Sequence, residues 1–282
     1  MNNLLLRAVS GSIYVLIILF CILMGATWFW AVISIFAILA LHEVQSTLNH
    51  TEKTSTIIRG FDLCSISIYF LLLGFSLIFT NQSQLNDCFL YIFIAASIYI
   101  SLRVVIAVYS RSQASLFSFM ASAMSMAYIA VPLTCLILSY ILGGKNIVLA
   151  TFVFIWLNDT GAYLSGITLG RHKLCQRLSP KKSWEGFWGG FILCVIGGIV
   201  ASYILYGELS ILTLFWAIYA AVVSVAGTFG DLFESLIKRK NGVKDSGKII
   251  PGHGGILDRI DSLLAVNPFT LLFVLILNLF FN

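Results

Sequence analysis

The last polar segment of the chain, residues 235 to 261, has a composition suited to phosphate and metal chemistry. It reads SLIKRKNGVKDSGKIIPGHGGILDRID and lies between two strongly apolar runs. Three aspartates, Asp245, Asp258 and Asp261, offer the hard oxygen ligands that Mg²⁺ prefers. The segment also contains six basic residues, Lys238, Arg239, Lys240, Lys244, Lys248 and Arg259. This mixture favours a loop that binds phosphate and a metal ion at a membrane surface.

A glycine pair stands at the centre of the same segment. Gly254 and Gly255 precede Asp258 in the sequence GHGGILD. Because glycine has no side chain, backbone N–H groups at such positions can approach an anion closely. Carboxylates, cations and bare backbone together indicate Mg²⁺-nucleotide chemistry.

The apolar run before this segment ends in a polar stripe. Asp231, Glu234, Ser235 and Lys238 follow the spacing i, i+3, i+4 and i+7, which places them on one side of a helix. Two acids on one intramembrane stripe favour a functional role. For Glu234 and Lys238 the alternative is a structural salt bridge.

A second polar intrusion is the pair Asn158 and Asp159 inside another apolar run. A central Asp costs about 2.5 to 3.5 kcal/mol on insertion scales, so it should face a polar interior. The two interpretations are the lining of a wet cavity and a structural hydrogen bond between helices. Ala162, Gly166 and Gly170 follow at helical spacing and predict close packing against another helix.

The loop from 167 to 185, ITLGRHKLCQRLSPKKSWE, contains five basic residues and one acid. It could be an ordinary solvated loop with topogenic charges. Ser179, Lys181, Lys182 and Ser183 surround Pro180, which fixes the backbone, and they present donors suited to a polyphosphate or a lipid phosphate. A glycine-rich helix that begins near Gly186 is expected to pack tightly for structural reasons.

The rest of the chain must hold these groups in a bilayer. Mean hydropathy is +0.97, and only 10% of residues are charged, which excludes a soluble domain. The sequence predicts an all-α polytopic membrane protein of about nine transmembrane helices. The predicted spans are 8 to 24, 26 to 41, 61 to 79, 88 to 108, 116 to 142, 146 to 166, 186 to 206, 210 to 237 and 262 to 281. Pro132 lies near the middle of the long fifth span, and a kink or a split there would change the count.

The distribution of basic residues predicts the orientation. With nine spans, every Lys and Arg except Lys145 falls on the side of the amino terminus, which the positive-inside rule assigns to the cytoplasm. In this count Arg103 belongs to a loop from 103 to 115. Residues 1 to 145 are then amino-terminal scaffold helices that contain almost no ionisable residue, with Glu43 the nearest case. Residues 146 to 282 form the catalytic region, with cytoplasmic loops at 167 to 185 and 238 to 261.

The segment from 235 to 261 resembles a known family signature. In residue type and spacing it is similar to the phosphatidate cytidylyltransferases, also called CDP-diacylglycerol synthases. The runs SPKKSWEG at 179 to 186 and NDTGAYLSG at 158 to 166 also look like that family. The resemblance covers the second half of the chain, whereas the first four helices match only in apolar character and position.

The resemblance implies that CTP and phosphatidic acid give CDP-diacylglycerol and pyrophosphate, with Mg²⁺ as cofactor. One or two cations would be held by Asp231, Asp258 and Asp261, with Asp245 as a further ligand. Lys238, Arg239, Lys244 and Arg259 would neutralise phosphates. The remaining substrate contacts would come from Ser179, Lys181, Lys182, Ser183, Ser235, Gly254, Gly255 and Asp159. His253 would donate a hydrogen bond to a phosphate rather than act as a base, because a phosphate nucleophile is already ionised near neutral pH.

The resemblance also implies partners and a location. The partners would be CTP, phosphatidic acid and the lipid bilayer, with no nucleic acid, and a homodimer is left open. The location would be a bacterial-type inner membrane, with the active site facing the cytoplasm. Which basic loop meets which substrate is left open.

Three other functions compete with this one. A secondary transporter would bury charges at mid-membrane, but it would usually show them in both halves of the chain. A CDP-alcohol phosphotransferase would have four clustered aspartates in a DxxDGxxAR pattern, which is not found here. A relative that uses CTP with a polyprenyl or archaeal-type lipid phosphate is the closest rival.

Overall fold

The computed structural model of the chain describes residues 3–48, 55–79, 85–110, 115–247, 249 and 254–281. It contains eight helices and two short strands within these ranges. The helices are α1 (Asn3–Met24), α2 (Ala26–Leu48), α3 (Thr56–Phe79), α4 (Leu85–Tyr109), α5 (Ser115–Thr168), α6 (Trp184–Tyr206), α7 (Ile211–Lys240) and α8 (Leu257–Phe281). The strands are β1 (Lys173–Cys175) and β2 (Ser179–Ser183). The predicted all-α membrane class is confirmed.

The helices follow the apolar runs closely, because an apolar run in a bilayer must satisfy its backbone hydrogen bonds internally. Among the described residues, six helices are long and apolar enough to cross a membrane, and α1 and α4 contain shorter apolar stretches. The 54-residue α5 is broken at Gly144, whose φ of 78° is left-handed. The break therefore falls at the glycine between the fifth and sixth predicted spans, whereas Pro132 lies inside continuous helix. The number nine and the orientation of the amino terminus stay predictions.

The loop from 167 to 185 contains structure that the sequence analysis did not predict. Strands β1 and β2 pair antiparallel, with Lys173 opposite Ser183 and Cys175 opposite Ser179. The two strands and the turn between them form a hairpin that leads directly into α6. Lys173, Lys181 and Lys182 are therefore presented by strands, whereas Arg171 and Arg177 lie outside them.

The described residues form two compact units. One contains residues up to Leu133 together with Asn241–Asp258, and the other contains Thr134–Lys240 and Arg259–Asn282. Packing defines these units, whereas the predicted division at 145 concerned scaffold and catalytic roles, which packing does not test.

A buried polar network lies inside the first unit, and it corrects one expectation. Arg103 does not lie in a loop, because α4 continues past it to Tyr109 and its side chain is buried. Its Nε lies 3.2 Å from Asp62 Oδ1, and both side chains are at most 2% exposed. Gln45 and Tyr99 also donate hydrogen bonds to Asp62, at 2.8 and 3.0 Å. The amino-terminal helices therefore contain an ion pair that an apolar scaffold would not require.

The second unit is built on aromatic packing. Tyr219 of α7 stacks on Phe273 of α8, with ring centroids 4.1 Å apart, and Trp216 packs edge-on against the same ring. The Tyr219 hydroxyl lies 2.6 Å from Thr151 Oγ1 and 2.9 Å from Thr270 Oγ1. A buried tyrosine needs such partners. These contacts fix α7 against the second half of α5 and against α8.

The glycine-rich face of α6 packs on α5, as expected. A Cβ at Gly190 would lie 2.6 Å from the Asn158 carbonyl oxygen, and one at Gly186 would lie 2.9 Å from that of Ala162. Any larger residue would push the helices apart. The small residues that follow Asp159 meet the small residues of α6, which brings two backbones into direct contact.

Candidate active site

The close approach of α7 and α8 creates the centre of the site. A Cβ at Gly230 would lie 2.7 Å from Ala265 Cβ and 2.9 Å from the Asp261 carbonyl oxygen. Glycine at this position therefore lets the two helices meet at the level of Asp231 and Asp261. The two aspartates come from helices that are distant in sequence but adjacent in space.

Three carboxylates form one group at this point. One oxygen each from Asp231, Glu234 and Asp261 lie within 4.8 Å of one another. The sequence predicted Asp231 and Asp261 as ligands of a shared cation, and the structure brings them together. Glu234 joins them one turn after Asp231. All three groups offer carboxylate oxygens within a small volume. Such hard oxygen ligands suit a Mg²⁺ ion.

The polar stripe of α7 makes internal contacts as well. Lys238 forms an ion pair with Glu234, whose side chain is 1% exposed. The salt bridge that was the alternative for Glu234 and Lys238 is therefore present, and Glu234 also belongs to the carboxylate group. Ser235 Oγ donates to Asp231 Oδ1 at 3.4 Å. Asp231 therefore has a local partner on its own helix.

Lys182 reaches the same group from the hairpin. Its Nζ lies 2.6 Å from Asp231 Oδ2, and it also donates to the Thr228 carbonyl oxygen at 3.4 Å. Lys181 is exposed, because successive side chains of a strand point to opposite faces. Of the two adjacent lysines, Lys182 is the one placed beside the carboxylates.

The hairpin is held in place by the first turn of α6. The Glu185 carboxylate accepts backbone N–H groups from Arg171 at 3.1 Å and His172 at 3.2 Å, and it also contacts His172 Nδ1 at 2.6 Å. Ser183 is buried, and its hydroxyl accepts the N–H of Gly186 at 3.1 Å, which caps α6. Ser183 therefore stabilises the start of α6, in addition to its predicted role in substrate binding. Ser179 is half-buried at the start of β2.

Asn158 and Asp159 lie in different surroundings, so one interpretation does not fit both. Asn158 is buried, accepts from Ser224 Oγ at 2.5 Å and donates to Thr228 Oγ1 at 3.4 Å, so it joins α5 to α7. Asp159 is exposed and interacts electrostatically with Lys182 and Asp231. The helix-joining bond therefore belongs to Asn158, while Asp159 adds negative charge near the carboxylate group.

The signature segment before α8 lies in the other compact unit. Asp258 accepts the N–H of Gly255 at 2.8 Å and that of Ser246 at 3.2 Å. Lys244 and Asp245 are exposed there. In the second unit, Arg239 and Arg259 are exposed at helix ends. His253 lies outside the described residues. The ligand roles of Asp258 and Asp245 stay predictions.

Comparison with known proteins identifies the family. The model of the Cytidylyltransferase family matches residues 5–277. The chain belongs to this family. It is 35% identical over 265 residues to "Phosphatidate cytidylyltransferase" of Staphylococcus haemolyticus (strain JCSC1435), covering 93% of this chain and 95% of that protein.

Shorter and stronger similarities extend to other bacteria. A protein of the same name from Staphylococcus saprophyticus is 46% identical over 125 residues, which are 44% of this chain and 47% of that protein. Another from Haemophilus influenzae is 45% identical over 130 residues, or 45% of this chain and 44% of that protein. The expected family is confirmed, and with it the assignment of this cytidylyltransferase as a nucleotidyltransferase enzyme.

The sequence analysis missed the partners of some polar residues of this chain. Glu43, in α2, is buried and accepts backbone N–H groups of Ile256 and Leu257. Asp62 and Arg103 form the buried network of the first unit. The signal was present, because an ionisable residue inside an apolar run is costly and needs a partner. The partners lie far away in sequence, so pattern alone could not identify them.

Proposed function

We propose that this chain transfers the cytidylyl group of CTP to phosphatidic acid, giving CDP-diacylglycerol and pyrophosphate. The observation that carries the proposal is the carboxylate group of Asp231, Glu234 and Asp261 with Lys182 and Lys238 in direct contact. Both substrates are anions, so positioning and charge neutralisation dominate the barrier. The relatives named phosphatidate cytidylyltransferase support the choice of substrates.

Asp231 and Asp261, with Glu234 beside them, would hold one Mg²⁺ ion or two cations. A bound Mg²⁺ would neutralise charge on the triphosphate and stabilise the leaving pyrophosphate. Carboxylates that lie this close repel one another when all are ionised, so a cation is the natural counter-charge. The buried Glu234–Lys238 pair would keep part of the group balanced when substrates are absent.

The proposed reaction is an in-line displacement. An oxygen of the lipid phosphate forms a bond to the α-phosphorus of CTP, and the bond from that phosphorus to the β-phosphate oxygen breaks. Pyrophosphate leaves with the electron pair. Lys182 and Lys238 would offset the charge that develops on the phosphates, because they already lie against the carboxylate group. Exposed Lys244, Arg239 and Arg259 would attract the polyphosphate from solution.

The location follows from the substrates. A lipid phosphate is held at the bilayer surface, and CTP is cytoplasmic, so the hairpin and the segment from 238 to 261 should both face the cytoplasm. The inner membrane of a bacterial-type cell is the proposed site. The distribution of basic residues in the sequence supports this orientation.

This topology predicts the outcome of thiol labelling in intact cells. The six native cysteines are replaced first, and single cysteines are introduced as Arg177→Cys in the hairpin and Lys240→Cys after α7, both at exposed positions. Neither should react with a membrane-impermeant maleimide added from outside. Lys145→Cys, exposed at the break in α5, is the matched control and should react. Labelling of either loop from outside would contradict the proposed orientation.

A direct assay tests the function. Purified protein in detergent and phosphatidic acid micelles is supplied with radiolabelled CTP and Mg²⁺, and the lipid product is separated. We expect CDP-diacylglycerol to form, and we expect it to stop forming when a chelator removes Mg²⁺. ATP, GTP and UTP in parallel test the nucleotide, and a polyprenyl phosphate tests the lipid. Transfer to the polyprenyl phosphate alone would replace the proposed acceptor.

A further inference from the structure

A buried carboxylate of the first unit lies outside the groups assigned above. Glu43 is in α2 and is 2% exposed. Its Oε1 accepts the N–H of Ile256 at 3.1 Å, and its Oε2 accepts the N–H of Leu257 at 2.8 Å. A buried charge is costly unless its oxygens are hydrogen-bonded, and here each oxygen accepts one backbone donor. Leu257 is the first residue of α8, so Glu43 satisfies donors that the helix itself cannot.

The glycines of the signature segment form the slot for this carboxylate. A Cβ at Gly247 would lie 2.7 Å from Glu43 Cδ, and a Cβ at Gly255 would lie 2.6 Å from the same atom. Contacts of that length between non-bonded carbons do not occur. A larger residue at either position would therefore force the side chain of Glu43 to move, although Glu43 lies more than 200 positions earlier in the chain.

The same short segment also orients Asp258. Gly255 donates its N–H to Asp258, while the next two N–H groups go to Glu43. The N–H of Ser246 is a further donor to Asp258, at 3.2 Å. Three consecutive backbone donors are thus divided between two carboxylates. Moving the Glu43 carboxylate would break two of these hydrogen bonds. It would also free the backbone segment whose N–H groups bind Asp258.

We propose that Glu43 is a positioning residue that fixes the backbone at Gly247 and from Gly255 to Leu257 and so sets the orientation of Asp258. This inference rests on the proposed function together with the sequence prediction that Asp258 is a ligand of Mg²⁺. Within the described part of the chain, the Glu43 carboxylate accepts its hydrogen bonds from backbone N–H groups. Its effect on the reaction is transmitted through the segment it holds, as with other residues that orient a metal ligand from behind.

The first experiment measures the Mg²⁺ requirement of Glu43→Gln. The amide keeps one acceptor but turns an NH₂ group toward a backbone N–H, so one hydrogen bond is lost and two donors face each other. We expect the Mg²⁺ concentration for half-maximal activity to rise about 10- to 100-fold. Asp62→Asn is the matched control, because Asp62 is an equally buried carboxylate of the same unit whose partners are Arg103, Gln45, Tyr99 and Ser122.

The control separates positioning from general destabilisation. Asp62→Asn should lower the melting temperature yet leave the Mg²⁺ requirement of the folded enzyme unchanged. If both variants shift the requirement equally, or if neither shifts it, the positioning role is wrong. If the wild type forms no CDP-diacylglycerol at all, the proposed function fails instead.

A second experiment uses stability alone, so it does not depend on activity. Gly247→Ala should lower the melting temperature when Glu43 is present, because the new methyl overlaps the carboxylate. In a Glu43→Ala background the slot is vacant, and Gly247→Ala should then cost little or nothing. Such non-additivity is the mark of two residues in contact. If Gly247→Ala lowers the melting temperature equally in the two backgrounds, the Glu43 carboxylate does not fill the space beside Gly247, and the inference is wrong.

Discussion

Asp261→Asn should abolish turnover while leaving the protein without Mg²⁺ at least as stable as the wild type. The Asp261, Asp231 and Glu234 oxygens lie within 4.8 Å of one another, and each ionised pair repels by at least about 3.5 kcal/mol at an effective dielectric constant near 20. Lys182 and Lys238 offset part of this repulsion. Asparagine removes one charge and keeps the Oδ1 acceptor that binds the Ser262 N–H at 2.7 Å.

The loss of activity should be large. A metal ion contributes several kcal/mol of charge stabilisation to such a reaction, and every 1.4 kcal/mol is tenfold, so kcat should fall at least about a hundredfold. Asp231→Asn should behave in the same way. The measurement combines turnover with melting temperature across a Mg²⁺ titration. The wild type should gain stability from Mg²⁺, and the variants should not.

A control and an opposite outcome define this test. Glu208→Gln removes the same charge at an exposed position between α6 and α7, and it should change neither activity nor the Mg²⁺ response. The alternative is that Asp261, which interacts electrostatically with Lys238, only neutralises that cation. Breaking a buried pair would then destabilise by about 3 to 5 kcal/mol. Variants that melt early but keep near-normal turnover would exclude the carboxylates from the active site.

Much of the fold was predictable because apolar length determines helices in a bilayer. The predicted spans 26 to 41 and 210 to 237 became α2 and α7, which are extended by polar turns at their ends. The sequence predicted a boundary between two spans at 143 to 145, and the break in α5 lies there, at Gly144, whereas Pro132 stays inside the helix. A proline can remain inside a membrane helix when neighbours satisfy the freed carbonyl, whereas the left-handed φ of Gly144 interrupts the helix itself.

The site was predictable where its groups share a helix face. The spacing of Asp231, Glu234 and Lys238 predicted one stripe, and the structure has it. The meeting of that stripe with Asp261 depends on Gly230, whose role as a contact point is not readable from sequence. The hairpin was missed because β1 has only three residues, too few to show the alternation that indicates a strand.

Contacts between distant residues were the hardest to predict. Glu43 looked like the polar end of a scaffold helix, and Gly255 looked like a glycine that lets the backbone approach a substrate anion. In the structure the anion that meets this backbone is the Glu43 carboxylate itself. A glycine pattern indicates close approach but does not identify what approaches. Only the fold supplies the partner.

The adjacent lysines of β2 should differ sharply in their effect on catalysis. Lys182→Ala should raise the KM for at least one substrate and lower kcat/KM about tenfold or more beyond Lys181→Ala. The Lys182 ammonium lies 2.6 Å from Asp231, whereas Lys181 is exposed on the opposite face of the strand. Charge-assisted contacts to a phosphate contribute about 1.5 to 3 kcal/mol each, which corresponds to at least tenfold in affinity.

Stability measurements distinguish this role from a structural one. The Lys182 and Asp231 side chains are 27% and 37% exposed, so their ion pair should contribute no more than about 1 kcal/mol to folding. Lys182→Ala should therefore leave the melting temperature nearly unchanged while activity falls. Lys181→Ala is the matched control, since it removes the same charge from the next residue. If both variants keep wild-type KM values for CTP and phosphatidic acid, neither lysine binds a phosphate of either substrate, and the hairpin serves only to position α6.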